Sequence, residues 1–272
     1  MIRFGALNSM GATGWGMGDP VICFGQQPCG FFPKRYFHSK VTTARRLRDR
    51  IGGRIVYFCH DSDHDYRETT TPLRDLNTGL LKRINFDHAG KLQKKYTPLY
   101  AKKIQPGWQE RTARVLPCFV TPALVHKFES VRADTVADFC LQMYRKLGEL
   151  EGIEVMRSGD PALRARAVEV DDYFVDVPYE GELVRARRRD GHLKLHRGGD
   201  EWLDLPWTEP TKEAISPTRD TRLRWMQSVV HCTHYIAGAG EGQYLKRDEA
   251  PDITFVERDP IDRSDESYVD YA

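Results

Sequence analysis

The densest run of chemically versatile side chains in this 272-residue sequence is His60-Asp61-Ser62-Asp63-His64-Asp65, followed by Glu68. Carboxylates on both sides of an imidazole fix its tautomer and raise its basicity, which a general base needs near neutral pH. Asp63, His64 and Asp65 are therefore the candidate catalytic residues. The plainer reading has Asp63 and Asp65 capping the next segment while His64 satisfies buried backbone. The same atoms suit a divalent cation, but the run lacks the ligand spacing of a defined metal motif, so no metal is expected.

Two glycine loops add to this cluster. Gly25-Gln26-Gln27, with Tyr36 and Lys40 downstream, offers backbone N–H groups and a helix N-terminus to a carboxylate or phosphate, and Lys40 supplies a positive charge. The alternative, with Gln26 and Gln27 satisfying loop backbone and Lys40 exposed, stays open. The second loop is Gly238-Ala239-Gly240-Glu241, with Tyr244 close behind. Three further residues and a basic run receive structural readings: Cys29 as a small loop filler, His231 and His234 as core histidines, and Arg185 to Arg189 as the solvated face of a hairpin.

These residues need a scaffold. Val21 to Phe24 predicts a strand, Val41, Ala44, Leu47 and Ile51 recur at helical spacing, and Arg54 to His60 predicts a second buried strand. This is the β-loop-α-β unit of a parallel sheet. Residues 72–132 show no clear period and are expected to be loops or an exposed excursion. A helix behind an Asp134 N-cap leads into a strand over Ile153 to Met156. Alternation from Tyr173 to Leu205 around Asp190-Gly191 predicts a β-hairpin, taken as an insertion over 171–208. Ser216-Pro217 is expected to open a short helix through Arg222 and Trp225, followed by strands over Val229 to Ile236 and Ile253 to Val256. The tail at 259–272 is expected to be weakly ordered. The fold class is thus α/β, one Rossmann-like domain over 1–272. The three polar clusters follow strands of one parallel sheet, so they are expected to line a single crevice.

Composition narrows the function classes. Lys and Arg number 41 against 39 Asp and Glu, which makes no demand for nucleic acid. The six cysteines are scattered without a C-x-x-C pair, so neither a zinc site nor a disulfide framework is indicated. Apolar runs are too short to cross a bilayer, and the opening residues carry no signal-peptide pattern, so a cytoplasmic location is expected.

The motifs also resemble a known family. Gly25-Gln26-Gln27 with Tyr36 and Lys40 resembles the GQQ-to-YxxxK segment of BshC proteins, the cysteine-adding enzymes of bacillithiol biosynthesis. That segment takes the place of the HIGH region of class I aminoacyl-tRNA synthetase-like folds. Asp63 to Glu68 looks like the family's E-D-H-D-F-E-E loop, and Tyr235 to Glu241 looks like its Y-V-G-G-P-G-E turn. Ser216-Pro217 through Arg222 and Gln227 is similar to its S-P-N…R…Q segment. The resemblance runs in order over residues 21–258 and implies a Rossmann-like nucleotidyltransferase core. It also implies a ligase that joins cysteine to glucosaminyl-malate, with ATP or ADP as the candidate nucleotide. Gly25, Gln26, Gln27, Tyr36, Lys40, Glu68, Arg222, Gln227, Gly238, Gly240, Glu241 and Tyr244 would then bind substrate.

The sequence departs from the family pattern at Cys29, Ala239 and Ser228, where glycine, proline and aspartate are usual. It stops where the family's dimer-forming coiled coil would begin, which leaves a homo-oligomer open. Small molecules are the expected partners, with neither membrane nor nucleic acid. The competing functions are an adenylyltransferase-type enzyme that binds nucleotide and a non-catalytic small-molecule-binding protein.

Overall fold

Two apolar strands, almost wholly buried, flank the first long amphipathic helix and set the centre of the molecule. The structure is a computed structural model and describes residues 18–243 and 245–270. From its amino end the chain forms β1 (Val21–Gln26), α1 (Arg35–Ile51), β2 (Arg54–Cys59), β3 (Thr71–Arg74) and β4 (Leu81–Ile84). Helices α2 (Lys91–Tyr96), α3 (Trp108–Val115), α4 (Pro122–Glu129) and α5 (Val136–Lys146) follow, then β5 (Ile153–Arg157) and α6 (Pro161–Arg166). Next come β6 (Tyr173–Tyr179), β7 (Glu182–Arg189), β8 (His192–Gly198), β9 (Glu201–Leu205) and β10 (Ile215–Pro217). The chain closes with α7 (Arg222–Val230), β11 (His234–Ala237) and β12 (Thr254–Glu257).

Strands β12-β11-β1-β2-β5 form one sheet in that order, every pair parallel. Both faces are covered, as a parallel sheet requires. Phe24, Tyr57, Phe37 and Tyr144 pack on one side, and Phe58, Trp225 and Met226 on the other. The chain leaves β1 towards β2 and β5, then returns to place β11 and β12 on the opposite side. The fold is therefore α/β with a five-stranded parallel sheet, compatible with a Rossmann-like core. Among the described residues no helix is long and apolar enough to cross a membrane.

Several expectations need correction. Residues 72–132 are not an exposed excursion: Phe86 stacks on Trp108 at 4.3 Å, and both join Phe31, Phe128 and Phe139 in a buried aromatic cluster. Aromatic burial of this kind organises a segment without any periodic signal. The hairpin over 171–208 is a four-stranded antiparallel meander, β6 to β9, extended by β10. Ser216-Pro217 lies in β10, where Pro217 pairs with Tyr173; an edge strand tolerates a residue lacking an N–H. Thr221 is the N-cap of α7, which runs to Val230 and ends on a left-handed His231, so β11 starts only at His234. The N-cap of α5 is Thr135, whose side chain accepts from the Asp138 N–H, and not Asp134.

The tail over 259–270 is tied down. Lys34, at the N-cap position of α1, makes no side-chain capping bond. The Arg35 and Tyr36 N–H groups instead donate to the Glu266 and Ser264 carbonyls, at 2.7 and 2.9 Å. Those are donors that a helix start leaves open. The Ser267 N–H donates to the Pro72 carbonyl, and the Tyr268 ring stacks on His38 at 3.8 Å.

Candidate active site

The carboxyl ends of β1 and β11 meet where the strand order turns back, the usual place for a ligand crevice in an open parallel sheet. Lys40 reaches this point from α1 and is 2 % exposed, which removes the reading of an exposed lysine. Its Nζ donates to the Gly25 carbonyl at 2.9 Å and to Gln26 Oε1 at 3.1 Å, and pairs with Glu241 Oε2 at 2.5 Å. The same Glu241 oxygen accepts from the Gly238 N–H at 2.7 Å. One ion pair, between a buried lysine and a half-buried glutamate, thus fastens the two glycine loops together. Gly25 is required by close approach: a Cβ there would lie 2.6 Å from His60 Nε2 and 2.7 Å from the Tyr235 hydroxyl.

Asp63 organises the acidic loop. Its Oδ1 accepts from the His64 and Asp65 N–H groups at 2.7 and 3.1 Å, and Arg185 and Arg222 each stand 3.8 Å from the carboxylate. Burial pushes the Asp63 carboxyl up, but Arg185, His64 and Arg222 outweigh burial and hold it well below the usual carboxylate range. His64 Nδ1 lies 4.0 Å from Asp63 Oδ1 and is shielded without a hydrogen-bond partner. The raised basicity expected of His64 is not found: burial, helped by Arg185 and Lys102, outweighs the pull of Asp63 and lowers it to about 4. His60 is likewise lowered well below its ordinary value, by burial and then Arg222. At neutral pH two uncharged imidazoles therefore flank one ionised carboxylate. Lys102, wholly buried and lowered by burial to about 7, donates to the His64 and Lys94 carbonyls at 3.0 Å each and holds the loop against α2.

The other expected site residues divide. Asp65 makes a two-pronged pair with the exposed Arg67 at 2.9 and 2.6 Å, at the mouth of the loop. Glu68 faces Lys34 at 3.5 Å. Gln26 receives the Tyr57 hydroxyl on its carbonyl, and its side-chain amide donates to the Tyr36 hydroxyl at 3.4 Å; Gln27 is half-buried beside it. Gln227 closes the turn between α7 and β11, donating to the Cys232 carbonyl and accepting from its N–H. Gly240 is exposed with open space where a Cβ would lie, and Tyr244 lies outside the described residues. Cys29 is buried, its N–H bonded to the Tyr144 hydroxyl, and burial raises its thiol, as befits a filler. His231 is exposed and His234 is half-buried at the amino end of the inner strand β11, so neither is a core histidine.

Arg185 overturns the expectation of a wholly solvated basic run. It is 5 % exposed, stacks over Phe174 at 3.8 Å and donates to Ser216 Oγ and the Pro217 carbonyl. Alternation with Val184 and Ala186 marks the face it shares with Arg187, but the acidic loop covers that face where the sequence predicted solvent. His60 and Tyr235, noted in their motifs but given no role, and Lys102, not noted, also belong to this region. His60 had a signal, as the polar end of a buried strand run, whereas Lys102 had none in an aperiodic stretch. Among the described residues no three His, Cys, Asp or Glu side chains form a metal-holding group.

The histidines set a pH dependence. His64 and His88 are both held at about 4, burial first, and His60 well below its ordinary value. In the unfolded chain each titrates near about 6.5. The unfolded state therefore binds more protons between these values, so the stability involved is complete above about pH 6.5 and is lost as pH falls to about 4. Asp63, held ionised in the folded chain, adds slope of the same sign only at the acid end, where the unfolded carboxyl begins to take up protons below about pH 5. The melting temperature at constant ionic strength is expected to fall steadily from about pH 6.5 to 4, and a flat profile would contradict the neutral, buried histidines.

No protein-family model matches the chain, and no curated protein does.

Proposed function

We propose that this site joins an amine to the carboxyl group of an amino acid, a carbon–nitrogen ligase reaction in which ATP first converts the carboxyl to an acyl phosphate and the amine nitrogen then displaces phosphate as the new bond forms. By resemblance to the BshC proteins the amino acid is cysteine and the acceptor glucosaminyl-malate. The observation that carries the reading is the cluster at the carboxyl end of β2, where Arg185 and Arg222 each stand 3.8 Å from the Asp63 carboxylate and His64 Nδ1 lies 4.0 Å from it. A neutral imidazole takes the proton that the amine loses as the carbon–nitrogen bond forms. Arg185 and Arg222 keep Asp63 ionised and put positive charge beside the carboxylate-bearing substrate.

The adenylyltransferase reading is weaker. A nucleotide phosphate would be expected at the amino end of α1, yet the Arg35 and Tyr36 N–H groups bind tail carbonyls and those of Phe37 and His38 bind the Lys34 carbonyl. That helix end does not fit a phosphate. The reading is tested by incubating the full chain with cysteine and glucosaminyl-malate, with and without ATP, and following the amide product by mass spectrometry. Product is expected with the wild type in the mixture that holds ATP; its absence in both mixtures, with the protein folded, would sink the proposal.

A further inference from the structure

The meander and the acidic loop enclose a cavity of about 480 Å³. One face of the meander supplies its floor. Cross-strand partners share a face, so the pairs Phe174–Arg187, Arg187–Lys194 and His196–Trp202 place these side chains together, with Arg185 two residues from Arg187. The opposite face carries Val175, Val184, Ala186, Leu193 and Leu195 into its own apolar core. The meander therefore has one core face and one that meets the loop.

The cavity wall is strongly unbalanced in charge. Arg67, Lys95, Arg185, Arg187, Lys194 and Arg197 line it, and Asp65 is its one carboxylate, already engaged by Arg67. Some of these cations have counter-charges behind them: Arg185 has Asp63, Arg187 has Asp172 at 2.9 Å, and Lys194 has Asp190 and Asp204 at 3.8 and 3.7 Å. Lys95 and Arg197 form no ion pair among the described residues. A concave wall of one sign concentrates the field and draws in counter-ions. Its volume lies in the range of small-molecule sites, not of an open surface for a macromolecule.

We propose that this cavity is a binding site for a small polyanion, a molecule carrying two or more phosphate or carboxylate groups. His64, Asp65 and Arg185 of the candidate active site also line this cavity, so the two adjoin; the inference rests on the charge and shape of the meander face and holds whether or not that site is a ligase. Phosphate and carboxylate share the chemistry that the arginine forks recognise, and two probes separate them.

The test is calorimetric titration of the full chain with inorganic tripolyphosphate and, separately, with tricarballylate. At least one is expected to bind saturably at one site, more weakly as salt is raised. The double variant K95Q/R197Q is expected to bind about tenfold more weakly, since the half-buried Lys95 and the exposed Arg197 each contribute a fraction of the binding. A second double variant, R50Q/K146Q, removes the same charge from exposed positions elsewhere and is expected to bind as the wild type does. Equal weakening in both variants would mean a general effect of net charge and would overturn the site. So would unchanged binding in K95Q/R197Q, or no saturable binding of either probe. Melting curves on each variant keep loss of fold distinct from loss of binding.

Discussion

Replacing His64 with alanine is expected to lower turnover by about 10²–10⁴-fold, the range of a lost general base, while moving the melting temperature little. Both halves follow from the same geometry. His64 Nδ1 is shielded and makes no hydrogen bond, so truncation breaks no bonded pair there. The bonds that shape the loop come from backbone and neighbouring side chains: Asp63 accepts from the His64 N–H, and Lys102 donates to the His64 carbonyl. Alanine keeps both. Turnover and melting are to be measured on one preparation. An active but clearly destabilised H64A protein would make the histidine a structural residue and leave His60 as the remaining imidazole of the crevice.

The largest stability effect is expected at Asp176. Arg164 and Asp176 form an ion pair at 2.7 Å with side chains 1 % and 3 % exposed. Arg164 also donates to the Ser158 and Glu213 carbonyls, and the Tyr100 hydroxyl donates to Asp176 at 2.8 Å. Asp176→Ala leaves a guanidinium buried without its counter-charge, a loss of about 3–5 kcal/mol. In a chain of this size that lowers the melting temperature by on the order of 10 °C. Arg164 Nη2 and Asp176 Oδ1 have no hydrogen-bond partners, so the pair itself is an expensive arrangement. The double variant R164L/D176L is therefore expected to lie closer to the wild type than D176A does. Urea unfolding of all three proteins decides it, and a D176A protein within about 1 kcal/mol of the wild type would refute the expected cost.

The parallel core was legible because its signals are local. Val21 to Phe24 and Arg54 to His60 read as buried strands from apolar runs, and α1 and α5 from helical spacing. The aromatic cluster of Phe86, Trp108 and Phe128 was not legible, since irregularly spaced rings acquire meaning only when tertiary packing brings them together. Arg185 illustrates a different limit. Alternation along β7 tells which side chains share a face, but not which element covers that face. The tail was misread because its grip on α1 is made by carbonyls of Ser264 and Glu266, groups that every residue carries. Ser216-Pro217 suits a helix start and an edge strand equally, and only the pairing partner separates them. Of the expected site residues, the structure brings Lys40 and the two glycine loops together through Glu241. The charges that set the histidines came from the meander and α7, far along the chain.

Sequence distance also bears on how the molecule assembles. Strand β1 bonds to β2 across one helix, but its other edge meets the chain again only where the Val21 N–H reaches Thr233 Oγ1, 212 residues away. The first crossover unit can gather early, as local contacts do. Pairing of β1 with β11 must wait for the last third of the chain, and loop closure over such a span is slow. Until then an apolar inner strand presents an unpaired edge, the kind of surface on which nascent chains associate wrongly.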